Sequence, residues 1–247
     1  FSVLITGGGS GIGLSTAELF AEMNANVAIN YLPSDKVSKN RINLLSRKFS
    51  NIYAFPGDIS NNEEAERVIL QAYKKLKCLN FLINNVGVGL VKNPIPFDKL
   101  NVIDDKFWNQ IMQVNLMSAF YCSRASAKYL KETKGAIVNI TSISSSGKRG
   151  TSIPYAVSKG SLNTLTRSLA KSLAPDVRVN AVSPGFTITN MTKQRSKAHK
   201  EKMSKQTLLK RNAKPREIAE IIFILCVSGS FITGEIINVD GGHGYIY

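Results

Sequence analysis

Residues 3–13, VLITGGGSGIG, set the strongest limit on how this chain folds. An apolar run of strand character passes into a glycine-rich turn and then a helical pattern carried by Leu14, Ala17, Leu19, Phe20 and Met23. Glycines at 7, 11 and 13 permit a tight turn, close backbone approach to a ligand, and close packing of helix on strand. The helix N-terminus then faces the ligand with its positive dipole end, so strand, turn and helix together read as a phosphate loop. The spacing is Gly-x-x-x-Gly-x-Gly, which differs from the Gly-x-Gly-x-x-Gly fingerprint, and a flexible turn is the competing reading.

Six further strand-like runs follow at intervals: VAIN, IYAF, NFLINN, AIVNIT, VRVNAVS and EIINVD, with amphipathic stretches between most of them. Such alternation predicts an α/β, doubly wound fold: a mostly parallel seven-stranded sheet with helices on both faces. Near-continuous apolar character in NFLINN and AIVNIT suits central strands buried on both sides. Glu63 to Lys77 carries Ala65, Val68, Ile69, Ala72 and Leu76 at helical spacing, with Asn61 or Asn62 as its cap. No repeat or linker interrupts the 247 residues, so a single domain over 1–247 is expected. Its least regular part is 186–215, a natural lid beyond a strand's carboxyl end.

Composition narrows the function. Cys78, Cys122 and Cys226 are scattered, and His199 and His243 join no cluster, so reduced thiols and no metal site are expected. The apolar stretch from Ile221 to Val227 is far shorter than the roughly 20 residues of a membrane span and reads as a buried helix. Phe1 stands almost directly before the first strand with no charged or apolar leader, which is read as no secretory signal and a cytoplasmic location. The net charge of +15 is concentrated: ten bases and one acid, Glu201, lie between Thr192 and Arg216. This segment is a solvated helical face, a surface for an anionic ligand, or a nucleic-acid arm. No aromatic residue interleaves it to stack bases, so the nucleic-acid reading ranks last.

Tyr155 and Lys159 stand four apart in PYAVSKG, after the serine-rich TSISSSG. On a helix they share a face, and an ammonium beside a phenol favours its ionised form. A tyrosine, with its ordinary pKa of about 10, needs such a cation to work as an acid–base group near neutrality. Taken alone, the pair is equally a packed tyrosine and a solvated lysine.

In order along the chain, TGGGSGIG at 6–13, GD at 57–58, NNVG at 84–87, Asn115 in QVNLMS, Ser142 in NITS, YAVSK at 155–159, SPG at 183–185 and NVDGG at 238–242 resemble the short-chain dehydrogenase/reductase family. The resemblance covers nearly the whole chain. It implies a Rossmann-like fold and a catalytic group of Asn115, Ser142, Tyr155 and Lys159. Tyr155 would protonate a carbonyl oxygen as hydride reaches carbon, and Lys159 would lower its pKa and hold the nicotinamide ribose. Ser142 would hydrogen-bond the substrate oxygen, with Ser144, Ser145 and Ser146 as nearby competitors. Asn115 would support a water relay to Lys159, or be a structural amide in its helix.

For the coenzyme the resemblance assigns Gly7, Ser10, Gly11, Ile12 and Gly13 to the pyrophosphate turn and Asp58 with Ile59 to the adenine. Asp58 is also a natural turn or capping residue. Asn85, Val86 and Gly87 would line the adenosine side, and Pro184, Gly185, Thr187 and Thr189 the nicotinamide side, with Tyr155 and Lys159 touching it as well. NAD-preferring relatives carry an acid where Tyr31 stands, and the arginines used by NADP-preferring relatives are replaced by Ser10 and Leu32. Asn30, Tyr31, Ser34 and Lys36 are expected to form a neutral-to-basic pocket that tolerates a 2′-phosphate, so NADP is preferred over NAD.

The resemblance is closest to the branch of 3-oxoacyl-acyl-carrier-protein reductases and sugar or alcohol dehydrogenases, through VAINY, SPGF and NVDGG. Acyl-carrier-protein reductases of this branch dock their partner on arginines where this chain has Thr133 and Asp176, which weakens that assignment; the basic segment is a substitute docking surface for acyl carrier protein or coenzyme A. The leading expectation is an NADP(H)-dependent oxidoreductase interconverting a ketone and a secondary alcohol. An NAD(H)-dependent sugar or alcohol dehydrogenase and a non-catalytic dinucleotide-binding scaffold are the alternatives. A homotetramer or homodimer is expected, built on the helix around Met112 to Tyr129 and the tail after Gly242.

Overall fold

A computed structural model describes the chain except residues 92–93, 148–149, 244 and 246–247. Seven parallel strands form one sheet: β1 (Ser2–Ile5), β2 (Asn26–Tyr31), β3 (Ile52–Pro56), β4 (Phe81–Asn84), β5 (Ala136–Ile140), β6 (Arg178–Pro184) and β7 (Ile236–Val239). Their order is β3-β2-β1-β4-β5-β6-β7, with every pairing parallel. This is the Rossmann-like sheet that the alternating runs predict, with β4 at its centre.

The period of two along each strand divides the core in half. Val3, Ile5, Val27, Ile29 and Val138 point to one face, where they meet Phe20 of α1 (Gly11–Glu22) and Ile218 and Ile222 of α9 (Pro215–Val227). Leu4, Ala28, Leu82, Ile137 and Val179 point to the other. There they pack on Val68 and Ile69 of α3 (Asn62–Leu76) and Leu130 of α5 (Ser118–Glu132). Each fully buried side chain of this kind stabilises the fold by roughly 1.5–3 kcal/mol, so neither face is stable uncovered. Two further helices complete the layers: α2 (Lys36–Lys48) and the long α6 (Ile153–Leu173).

Chain order reverses between β1 and β4, which opens a crevice at their carboxyl ends. Asn61 caps α3, its side chain accepting from Glu64 N at 3.0 Å. Between α4 (Asp105–Met112) and α5 the helix widens into one π turn, Gln113–Met117, where Asn115 is fully buried. Segment 186–215 is more regular than its composition suggests. It holds α7 (Asn190–Lys193) and α8 (Lys197–Lys205), the latter capped by Ser196, whose hydroxyl accepts from His199 N. Its ends are pinned by a short parallel bridge between Thr187 and Ala213. The stretch from Ile221 to Val227 ends α9 but is only half buried: Ile222, Leu225 and Cys226 face the core, while Ile224 and Val227 are exposed.

Candidate active site

The crevice is the mouth of a cleft of about 1670 Å³. Every residue that the resemblance assigns to catalysis or coenzyme lines it, except Gly13 and Asn115, which stand behind its wall. At its floor Gly7 and Gly11 take positive φ of 59° and 54°, a conformation that costs glycine little and other residues more. A Cβ on Gly13 would lie 2.5 Å from Asn85 Nδ2 and 2.9 Å from the Gly7 carbonyl, so this glycine seats α1 on the sheet. Asn85 in turn clamps the turn by donating to the carbonyls of Thr6 (3.0 Å) and Gly7 (3.1 Å). Ser10 occupies the N-cap of α1 without a side-chain cap, so the helix end opens on the cleft. The donor set and the bare glycine cradle fit a pyrophosphate.

The adenosine end differs from expectation in one respect. Ser34 and Lys36 are exposed and do not line the cleft, and the Asn30 amide is spent on the carbonyls of Phe55 (3.2 Å) and Gly57 (3.0 Å). The pocket beside Tyr31 is completed instead by Leu32, Asp35 and Ser38. The expected neutral-to-basic pocket therefore contains a carboxylate. The reason is capping: Asp35 starts α2, accepting from Ser38 N (2.9 Å) and Ser38 Oγ (2.6 Å). These hydrogen bonds, helped by the Arg41 guanidinium, hold its carboxyl below the usual range. With the Asn190 amide oxygen turned toward it, Arg41 Nη2 donates at 3.0 Å and joins α2 to α7 across the lip of the cleft. Asp58 is exposed at the edge of the cleft and also works as a turn residue, accepting from Ser60 N (3.0 Å) and Ser60 Oγ (2.7 Å).

At the opposite end β5 delivers Thr141 and Ser142, and α6 delivers Tyr155 and Lys159 on the face toward the cleft. Ser152 caps α6 through Tyr155 N (3.3 Å), with Pro154 in the first turn, so the tyrosine's position is set by the helix start. The Ser142 side chain, whose Oγ is 3.0 Å from Ser144 Oγ, bears on the Tyr155 hydroxyl and favours its ionised form. Ser145 is engaged elsewhere, accepting from Asn163, and Ser146 donates to the Ile143 carbonyl. Of the four serines, only 142 and 144 line the cleft.

Lys159 is 3% exposed, and its Nζ donates to the Ile140 carbonyl at 2.8 Å. Burial lowers its pKa to about 8. The phenol is not lowered as helix spacing alone suggests: burial pushes the Tyr155 hydroxyl above its ordinary value, partly countered by Ser142. Desolvation is the larger influence on the phenol, and the Lys159 ammonium is turned to the Ile140 carbonyl. Gly87 closes the wall: a Cβ there would stand 2.9 Å from Lys159 Nζ. Behind that wall Asn115 accepts from Val88 N (2.7 Å) and donates to Val88 O (3.0 Å) and Ser158 Oγ (3.0 Å).

Segment 186–215 forms the roof. Thr189 lies 3.2 Å from the position of a Gly11 Cβ, and α8 turns His199, Lys202, Met203 and Gln206 toward the cleft. Sequence reasoning missed these four, together with Asp35, Ser38 and Arg195; spacing of 199, 202, 203 and 206 on one helical face is the signal that would have found them. The described residues hold no cluster of metal-binding side chains, and no helix among them is long and apolar enough to cross a membrane.

Comparison with known proteins agrees with this geometry. Residues 7–244 match the family model described as enoyl-(acyl carrier protein) reductase. The 3-oxoacyl-[acyl-carrier-protein] reductase FabG of Aquifex aeolicus is 31% identical over 97% of this chain and 95% of its own length. Among solved structures, a short-chain dehydrogenase/reductase from Burkholderia xenovorans superposes with a TM-score of 0.88 at 30% identity, covering 98% of this chain and 96% of that one. ElxO with NADP bound superposes with a TM-score of 0.87 at 28% identity, covering 98% and 97%. With its all-parallel seven-stranded sheet, its glycine cradle at the β1 crevice and its near full-length match to these proteins, the chain belongs to the short-chain dehydrogenase/reductase family of oxidoreductases.

Proposed function

We propose that the chain interconverts a ketone and a secondary alcohol with NADP(H). The observation that carries this reading is the convergence of Ser142, Tyr155 and the buried Lys159 on one end of a cleft whose other end fits a dinucleotide. The bound nicotinamide supplies the hydride. Tyr155, held protonated by burial, donates its proton to the carbonyl oxygen, while Ser142 Oγ hydrogen-bonds the same oxygen as charge develops there. In the oxidative direction the Lys159 cation stabilises the phenolate and holds the ribose. Asn115 acts as a positioning residue, fixing the Val88 peptide against the wall beside Lys159 and supporting a water relay to it. Segment 186–215 is the lid, hinged where Thr187 and Ala213 bridge.

NADP is favoured over NAD by the absence of an acid at Tyr31, by the positive charge of the chain and by the NADP bound to ElxO; Asp35 opposes it. Arg41 offsets Asp35 locally. The test is a screen of oxidation and reduction across ketones, sugars and acyl thioesters with both dinucleotides, repeated with Tyr155→Phe. The variant is expected to keep coenzyme affinity and lose most turnover; unchanged turnover rejects Tyr155 as the acid.

A second reading, reduction of 3-oxoacyl thioesters, is favoured by the similarity to FabG of Aquifex aeolicus. Outward-facing lysines of 193–214 would then capture an acidic carrier. Its kcat/KM should fall with added salt, and a flat response rejects electrostatic capture.

A further inference from the structure

The basic segment that dominates the chain's charge has two faces with different fates. Several of its cations are already committed: Arg211 pairs with Glu217 (2.6 Å) and Arg216 with Glu22 (2.8 Å), tying the segment and α9 to the body. Lys197 faces Glu201, the segment's one acid, and Lys200 Nζ donates to the Lys193 carbonyl. The inner face differs in where it points: His199 and Lys202 line the cleft itself, as does Arg195, which already has an interaction of its own. His199 packs tilted against Phe186, just beyond the end of β6, with ring centroids 5.5 Å apart and planes at 57°, which helps hold this turn of α8 over the cleft. Asn212 secures the same turn by donating to the Lys200 carbonyl (3.0 Å). Among the described residues, the carboxylates that line the cleft are Asp35 and Asp58 at the adenosine end and Asp98 after β4, and none of these lies on the roof. Burial and the charges of Arg195 and Lys202 hold the His199 imidazole below its ordinary pKa, as a positive field would.

We propose that the inner face of α8 recognises an anionic group on the substrate, so that the carbonyl compound this chain handles carries a carboxylate or phosphate, gripped by Lys202 with His199. This rests on the ketone–alcohol reading above for its reaction, and on the lining of the cleft for its specificity. Lys202 is exposed at the mouth of the cleft, and a solvent-screened cation facing a charged acceptor discriminates against the neutral analogue by roughly twofold to fivefold.

The test pairs each substrate with its uncharged twin. Oxo acids with differing numbers of methylenes between ketone and carboxylate are compared with their methyl esters, and dihydroxyacetone phosphate with dihydroxyacetone. Two readouts are taken: kcat/KM with NADPH, and binding to the enzyme–NADP+ complex by calorimetry, which needs no turnover. At least one anion is expected to exceed its twin by about threefold to fivefold, and Lys202→Met to remove roughly that preference, while Lys74→Met, an equal charge change on remote α3, keeps it. The acid and phosphate arms tell the two anion classes apart. Equal binding and turnover of every pair would overturn the proposal. So would a Lys202→Met variant that weakens NADP+ and leaves the ratios intact, since the charge would then serve the dinucleotide. Selective binding without turnover of any compound would uphold the anion site and reject the reductase reading.

Discussion

Lys159 shows how one buried cation shapes both chemistry and stability. Its pKa falls from 10.5 to about 8 on burial, which corresponds to roughly 3 kcal/mol of penalty on the charged form. The unfolded chain therefore binds more protons between those values, and folding stability contributed at this site rises with pH from about 8 to about 10.5. Lys159→Met removes the penalty and leaves the Ile140 carbonyl without its donor, a cost of about 1 kcal/mol. The variant should be the more stable protein at pH 7 by roughly 2 kcal/mol, with the gap closing at alkaline pH, read from urea midpoints across pH. A gap independent of pH would show that the amine is not buried as a cation. Asp35 supports a second prediction at this scale. Its carboxylate lines the cleft beside Tyr31, where the proposed function puts the adenosine ribose, so Asp35→Asn should raise the ratio of kcat/KM for NADPH over NADH severalfold, about 0.5–1 kcal/mol for a partly screened charge. An unchanged ratio would place the 2′-phosphate away from α2.

At the scale of elements, the π turn at Gln113–Met117 carries the most consequence, since it lies where Asn115 reaches the Val88 peptide. Both Val88 backbone groups are satisfied by that one amide, and removing it leaves them to be paid for at about 1–3 kcal/mol each if they stay dry. Asn115→Ala is expected to lower the thermal midpoint by several degrees and to cut turnover more than coenzyme affinity, because the wall it supports adjoins Lys159. Calorimetry and steady-state kinetics on the same preparation check both, and normal stability with normal kcat would assign the amide no positioning role. The sequence signals Asn115 only through its motif, since a helix widened by one residue has the same composition as a regular one. The α8 helix is only faintly legible, through the spacing of 199, 202, 203 and 206 on one face. Its few apolar residues sit among lysines, so periodicity is weak, and its position is fixed by Ser196, the Phe186 ring and Asn212.

For the whole molecule, Ile224 and Val227 on α9 and the fully exposed Phe231 after it form an apolar surface that the sheet does not cover. The expected homo-oligomer is built elsewhere, on the helix around Met112 to Tyr129 and the tail after Gly242, which lies partly outside the described residues; this face of α9 is a further surface for it. Light scattering should give a multiple of the 27.0 kDa chain, and Phe231→Glu should shift it toward a smaller species; a 27.0 kDa wild-type species would refute the oligomer. Sequence alone determined the seven strands, the glycine turn and the Tyr155–Lys159 face, because each is written in local periods of two or about four and in residue types that backbone sterics select. Tertiary structure alone decided what those periods leave open. Arg41 meets Asn190 across 149 positions, Asp35 rather than Lys36 enters the cleft, and Arg195, His199 and Lys202 turn inward while Lys197 turns to Glu201. Charge and desolvation act through space and not along the chain, so a residue's chemistry at such a site depends on what the fold places beside it.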